Sequence, residues 1–404
     1  MALRPSGGTD VNRSAILAHL GAHGSASRAE LARALNLSPA LMTQLVKDLI
    51  GDGLLQEQDS APTAIGRPAR RLGLVSTAGR AIGMKVVDDH VAFVEVRIDG
   101  SVVRSASEPF DTFSPTFLAD LVGLLRRFIE GGGAIAPLGV GVGVPGSVDR
   151  QGSGAVDSTV LGWQQVPLGA TLRRELGLPV IVENNVNALA MAERLYGIGR
   201  HHDNFLVLTI GTGVGAGIVM DGAVLRGASG GAGEVGHIPI GDGGGLVPKD
   251  DRGTLESYVG QDALVTTARA RGVIGAESGI GALREAADAG DQDAAAIFSE
   301  AGHLLGRTVA GIVHTVDPEI VIILGEGTAS WRHWSFGFEP ALRSALLPYR
   351  RGLAVAVESW QDESWAQGAA ALVLSTPFDS GDLAGDQGRL VRERLVEQSA
   401  PQEA

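Results

Sequence analysis

The sequence predicts an α/β chain in two parts: a winged helix-turn-helix head, then a larger α/β body in two lobes. Three observations carry this. The first 75 residues hold short, capped helical patterns around a tight turn, followed by an arginine-rich hairpin. From about residue 78, strand-like and helix-like segments alternate, as in α/β architecture. Finally, "VAFVEVRIDGSVVR" (91–104) is echoed by "GAGIVMDGAVLRG" (215–227), each reading strand, Asp-Gly turn, strand. One such unit early in each half suggests two similar lobes facing each other across a cleft, the usual place for a small ligand.

Bulk composition bounds the rest. A chain of 404 residues, 44% of them hydrophobic, is long enough for two or three domains with a sizeable core. No apolar run reaches the roughly 18 residues of a membrane span. The opening "MALRPSGGTDVNRS" has no signal-peptide core. Without cysteine there is no disulfide and no thiolate metal site. A cytoplasmic protein with no membrane partner is expected. Residues 1–72 carry eight Lys/Arg against six Asp/Glu, while the whole chain stands at −13, so a polyanion partner is expected for the head alone.

In the head, "NRSAILAHLGAHG" (12–24) places Ile16, Leu17 and Leu20 on one helical face and stops at glycines. In "SRAELARALNL" (27–37), Ser27 and Glu30 stand at capping-box spacing. "SPALMTQLVKDLIGDGLL" (38–55) offers Ser38 as N-cap with Pro39 at the first helical position. Its inner face reads Leu41, Leu45 and Leu49; Ala40, Thr43, Gln44 and Lys47 fall outside. With a turn of only residues 36–37 between the last two helices, this is helix-turn-helix spacing. The second helix then offers small polar side chains to base edges. "LLQEQDSAPTAIGRPARRLGLV" (54–75) reads as a two-stranded wing with Arg67, Arg70 and Arg71 in or after its tip, suited to phosphates or a narrow minor groove. Ser38, Ala40, Thr43, Gln44, Lys47, Arg67 and Arg70 are the residues expected to meet double-stranded DNA.

In the body, strands are expected at 81–87, 91–98, 138–144, 180–182, 205–210, 215–220 and 320–324, and helices at 117–129, 186–196, 255–271 and 301–316. The glycine loop "TIGTGVGAGIV" (209–219) is either a cradle for phosphate or sugar oxygens or a tight hairpin. Glu234 and His237 in "GEVGH", and Glu256 in "LESYVG", follow it. "ENNVNALA" (183–190) puts two asparagines where the apolar strand "LPVIV" hands over to a helix. The polar tail, residues 377–404, is expected to be mobile.

In order along the chain, "GVGVPGSVD", "LGW", "LGLPVIVENNVNALAMAE", "LTIGTGVGAGIV", "GAGEVGH", "LES" and "LGEG" resemble the ROK family of repressors, open reading frames and sugar kinases. The resemblance covers nearly the whole chain and implies a two-lobed, actin-like ATPase (sugar kinase-like) body over residues 76–376. The head, residues 1–75, with its "GRP" wing (66–68), is similar to the family's regulator branch. The resemblance implies a homo-oligomer, dimer or tetramer, reading pseudo-palindromic operator DNA. It implies a sugar effector held by Asn184, Asn185, Glu234, His237 and Glu256. Family precedent favours repressor over activator.

Four departures from the family pattern bear on chemistry. The kinases carry Glu-Asn-Asp, with the Asp as general base; here Asn185 stands in that place, and an amide has no useful basicity. It still donates and accepts hydrogen bonds. The kinases' Asp-x-Gly-Gly-Thr-Lys becomes "AIGMKV", with Ala81, Met84 and Lys85 replacing the Asp, second Gly and Thr. Met84 is expected to obstruct phosphate. Family zinc cysteines are Val247, Lys249 and Thr254 here, leaving His237 without companions, so no zinc is expected and a looser loop is. The family's Ser-Pro-Asn is Ser158-Thr159-Val160, one sugar hydrogen bond fewer. The expectation is a regulator with no catalytic residues and no ATP or zinc. An active sugar kinase with a fused DNA-binding head is the alternative, and a regulator answering to a protein instead of a sugar is a third reading.

Overall fold

The computed structural model describes residues 8–58, 70–87, 89–133, 136–149, 153–358, 363–378 and 385–399. Two compact units emerge: Met1–His201 with Glu363–Ala404, and His202–Asp362.

The first unit opens with α1 (Gly8–His23), β1 (Ala26–Ser27), α2 (Arg28–Ala34), α3 (Pro39–Gly51), β2 (Leu55–Gln58) and β3 (Arg71–Leu74). The three strands form an antiparallel sheet in the order β1-β3-β2. The capping box is formed: Ser27 Oγ accepts from Glu30 N at 3.3 Å, and Glu30 Oε2 accepts from Ser27 N at 2.7 Å. Ser38 caps α3, its Oγ accepting from Leu41 N at 3.3 Å. Asn36, at φ +51°, supplies the left-handed turn between α2 and α3. One face reading is corrected. Met42, Leu45, Val46 and Leu49 are the buried stripe of α3, and Leu41 is 38% exposed. Leu45, Val46 and Leu49 with Met42 follow the i, i+3, i+4, i+7 spacing, and Leu41 falls outside it.

The rest of the unit holds β4 (Arg80–Val86), β5 (His90–Arg97), β6 (Val102–Pro109), α4 (Phe117–Glu130), β7 (Val140–Val144), β8 (Ser147–Val148), β9 (Val156–Ser158), β10 (Trp163–Val166), α5 (Leu168–Leu176), β11 (Val180–Asn184) and α6 (Asn185–Leu195). Its five-stranded sheet runs β11-β7-β4-β5-β6, with β11, β7 and β4 parallel and β5 and β6 an antiparallel extension.

The second unit contains β12 (Phe205–Ile210), β13 (Val214–Met220), β14 (Ala223–Val224), α7 (Leu255–Val259), α8 (Gln261–Ala270), α9 (Ile280–Asp288), α10 (Gln292–Val316), β15 (Ile320–Leu324), α11 (Trp331–Ala345) and β16 (Ala354–Val357). Its sheet, β14-β13-β12-β15-β16, repeats the wiring of the first: three strands in an antiparallel meander, then two parallel strands. The echoed Asp-Gly segments are the second-to-third strand hairpin in both sheets. At the second, Asp221 and Gly222 have φ +49° and +72°, the twist a two-residue hairpin needs. The expected helix over 255–271 is two helices, broken at Gly260.

The chain then returns to the first unit as α12 (Glu363–Ser375) and α13 (Gly385–Ser399). Glycines let α12 lie close on the sheet: a Cβ at Gly83 would sit 1.9 Å from Ala366 O, and one at Gly141 1.8 Å from Ala369 O. The expectation of a mobile tail is corrected for residues 385–399. Val391 and Leu395 are buried, Arg394 Nη2 donates to Pro137 O at 3.2 Å, and Val180 N donates to Gln387 Oε1 at 3.1 Å. Leu395→Ala should therefore cost about 2–5 kcal/mol. Urea unfolding of the full chain checks this, and an unchanged midpoint would mean that α13 is not docked.

Candidate functional site

On α3, Ser38, Ala40, Thr43, Gln44 and Lys47 are all exposed on the outer face. Thr43 Oγ1 donates back to Pro39 O at 2.7 Å and Gln44 Nε2 donates to Asp48 Oδ1 at 2.9 Å. Each bond uses one donor and leaves the Thr43 hydroxyl oxygen, and the second N–H and the carbonyl oxygen of Gln44, for an external partner. Arg70 is ion-paired with Glu57, which also pairs with Arg28 at 2.8 Å. Arg28 first, then Arg70, holds the Glu57 carboxyl below its ordinary value. Arg67 and the "GRP" segment lie outside the described residues.

In the first unit, β11 ends and α6 begins at the two asparagines. Asn184 is the N-cap: its Oδ1 accepts from Val186 N at 2.8 Å and Asn187 N at 3.3 Å, while Nδ2 donates to Gly146 O at 2.9 Å. Glu183 Oε1 accepts from Asn184 N at 2.9 Å and from Asn187 Nδ2 at 3.2 Å. The Asn184 amide is thus largely spent on holding the strand-to-helix corner. Asn185 is the first helical residue, half-buried, and its side chain has no hydrogen-bond partner among the described residues. Of the pair, Asn185 is the amide available to a ligand hydroxyl.

In the second unit the glycine loop is the tight turn of the β12–β13 hairpin, with Gly211 N donating to Gly213 O at 3.1 Å. Two carboxylates press on it. A Cβ at Gly213 would lie 2.6 Å from Glu256 Oε2, and one at Gly211 2.3 Å from Glu326 Oε2. Glu256 Oε2 accepts from Val214 N at 3.1 Å, and its Oε1 pairs with Lys249 Nζ at 3.1 Å. Glu256 is therefore committed to bracing the loop. Glu234 and His237 are open instead: each side chain is about half exposed, with His237 Nε2 3.8 Å from Glu234 Oε2. Sequence reasoning assigned no role to Lys249 or Glu326. "LGEG" quoted Glu326, and only the fold brings it beside the glycine loop and Lys249 onto Glu256.

The loop that replaces the zinc knuckle is not slack, contrary to expectation. Asp250 pairs with Arg252 at 2.6 Å and accepts from Ser257 Oγ at 2.5 Å; Lys249 N donates to Ser257 O at 2.8 Å, and Val247 N to Thr267 Oγ1 at 2.9 Å. The residues do not fit zinc: Lys249 brings an ion-paired ammonium to a cysteine position, and Val247 has no donor atom. Arg252 first, then Ser257, holds the Asp250 carboxyl well below its ordinary value. A depressed folded-state pKa stabilises above the unfolded aspartate value, about 4, and that contribution is lost as pH falls through the folded value. Asp250→Asn should thus raise hydrogen exchange over residues 242–253 at neutral pH, and unchanged exchange there would dismiss the network.

A second correction concerns β4. Met84 does not obstruct a phosphate path; its side chain is fully buried in the core with Ile82, Phe93 and Val142, because strand alternation turns it away from Gly83 and Lys85. Lys85 is buried, with Nζ 4.7 Å from the centre of the Trp365 ring on α12. Ala81 is buried, and its side chain carries no oxygen to hold a metal ion.

The ROK family model matches residues 90–376, and a MarR family model matches residues 8–64. The xylose repressor of Bacillus subtilis (strain 168) is 26% identical over 316 residues, 78% of this chain and 81% of that protein. The glucokinase of Thermotoga maritima is 33% identical over 245 residues, 56% of this chain and 75% of its own length. Among solved structures, a ROK family transcriptional regulator described as a homologue of the E. coli MLC protein superposes with TM-score 0.79 at 26% identity, covering 96% of this chain and 99% of that one. A Streptomyces griseus ROK glucokinase, solved with glucose and AMPPNP, superposes with TM-score 0.63 at 27% identity, covering 73% and 99%. The regulator spans head and body alike, whereas the glucokinase leaves about a quarter of this chain unmatched. The chain belongs to the ROK family, in its regulator form: a helix-turn-helix head ahead of a sugar-kinase-like body.

Proposed function

We propose that this chain is a DNA-binding transcriptional repressor of carbohydrate genes, released by a sugar or sugar-derived effector, and that its kinase-like body transfers no phosphate. The observation that carries this reading is Asn185, an amide without a hydrogen-bond partner among the described residues at the first position of α6, where the family's kinases hold a carboxylate base. Binding survives that exchange and catalysis does not. Asn185, Glu234 and His237 are the effector contacts in this reading, with Asn184 and Glu256 fixing the backbone beside them. Carboxylates at Gly211 and Gly213 make the loop a poor host for ATP phosphates. Ser38, Ala40, Thr43, Gln44, Lys47, Arg67 and Arg70 face DNA.

One recognition helix reads too few base pairs for genomic specificity, so the protein acts as a homo-oligomer on half-sites about 10–10.5 bp apart or a multiple of that.

The effector signal has a physical route within the first unit. Helix α6 begins at Asn185 and leads to a 3₁₀ turn, Ile198–His201; α1 of the head packs on both. The His23 and His201 ring centres are 6.0 Å apart, and Arg200 Nε donates to His201 Nε2 at 3.0 Å. A ligand that shifts α6 moves the surface on which α1 rests, and with it the placement of α3. The test is operator titration against a sugar panel in wild type and His201→Ala. Wild type should lose operator affinity with an effector sugar; His201→Ala should bind operator as well but respond less. Equal responses would remove this route, and no response in either protein would remove the repressor-inducer reading.

A further inference from the structure

Two exposed apolar side chains of the first unit, Val160 and Phe113, share one turn. The turn joining β9 to β10, residues 159–162, carries Val160 at 59% exposure. Phe113, 68% exposed, lies on the same turn: a Cβ at Gly162 would come within 2.6 Å of its ring. Neither side chain hangs on a loose segment. Phe113 N donates to Asp111 Oδ1 at 2.9 Å, Trp163 Nε1 donates to Thr112 O at 3.2 Å, and Leu161 N donates to Ser158 Oγ at 3.2 Å. Behind them Trp163 is buried and stacked on Phe117 at 5.0 Å.

This turn adjoins the asparagine corner. Asn184 Nδ2 holds Gly146 O, and Gly146 abuts the base of the turn, where a Cβ would lie 2.3 Å from Asp157 O and 3.0 Å from Ser158 Cα. On β7, the strand that leads into Gly146, a Cβ added at Gly143 would lie 3.6 Å from Asn185 Cα. Asn185, whose side chain has no hydrogen-bond partner among the described residues, and the two exposed apolar side chains therefore belong to one corner of the unit, tied through Asn184 and Gly146. A free sugar can set only the small C–H face of its ring against Val160 and Phe113. A nonpolar group would cover both and remove apolar surface from water.

We propose, on the sugar-effector reading above, that the effector is a sugar bearing a nonpolar substituent. Its hydroxyls meet Asn185 and its substituent lies on Val160 and Phe113. These two residues then set specificity.

The test is calorimetry on the full chain with D-glucose, D-xylose and N-acetyl-D-glucosamine, each against its phenyl β-glycoside, for wild type, Phe113→Ala and Val160→Asn. Both side chains are exposed, so the variants should fold, which circular dichroism checks. At least one phenyl glycoside should bind wild type about tenfold tighter than its free sugar. That advantage should shrink to about twofold or less in each variant, and Val160→Asn should bind the free sugar no worse. Equal affinity of free sugar and glycoside in wild type, or an undiminished advantage in both variants, overturns the inference and leaves the sugar-effector reading standing. Binding of no member of any pair overturns the sugar-effector reading itself.

Discussion

Operator binding should collapse when the outer face of α3 is stripped. Gln44→Ala should cost about 1–3 kcal/mol for each recognition helix that reads a base, and roughly twice that for a dimer on two half-sites. The loss should be concentrated at one base position. The bond from Gln44 Nε2 to Asp48 Oδ1 orients the amide, whose second N–H and carbonyl oxygen are the groups that would meet a base. Lys47→Ala should instead weaken all sequences alike and lower the salt slope by about 1, as expected of a phosphate contact. Arg70→Ala should do less, since Arg70 must first leave Glu57. Gel shifts over a salt series on operator and scrambled DNA separate these outcomes. Unchanged binding in both Gln44→Ala and Lys47→Ala would mean that α3 does not enter the groove.

The second large effect is catalytic. With ATP and a panel of hexoses, pentoses and amino sugars, the purified protein should release no ADP above a no-enzyme control. A positioned general base is worth about 10²–10⁴-fold in rate, and Asn185 cannot supply it. Restoring the carboxylate with Asn185→Asp should not restore turnover. The Ala81 side chain still has no oxygen for a metal ion, and Glu256 and Glu326 still crowd the glycine loop. Coupled-assay turnover in wild type would establish the kinase reading, and turnover in Asn185→Asp alone would confine the defect to one residue.

Local chemistry made much of the molecule legible in the sequence. Ser27 with Glu30, and Ser38 before Pro39, marked helix starts because a cap needs specific side chains at specific spacing. The Asp-Gly turns marked matching hairpins, and the two sheets indeed share one wiring. What stayed hidden depends on tertiary partners. Helix α12, "ESWAQGAAALVLS", is buried along nearly its whole length, so it has no polar face to give it a period. Helix α13 looked polar because it offers the body only a narrow stripe, including Val391 and Leu395. Met84 was assigned to the wrong side of β4 because a motif comparison carries no strand phase. The loop over 241–253 looked slack because the partners that tie it, Ser257 and Thr267, lie outside the segment.

The central claim is that effector and operator compete energetically through one molecule. Its most direct measurement is calorimetric titration of an effector sugar into the protein, alone and saturated with operator. An effector can move DNA affinity only as far as its own affinity differs between the two states, and the coupling is reciprocal. Sugar affinity should therefore fall with operator bound, by the same factor by which sugar weakens operator binding, typically about 5–150-fold. Sugar binding with identical affinity in the presence and absence of operator would contradict the account.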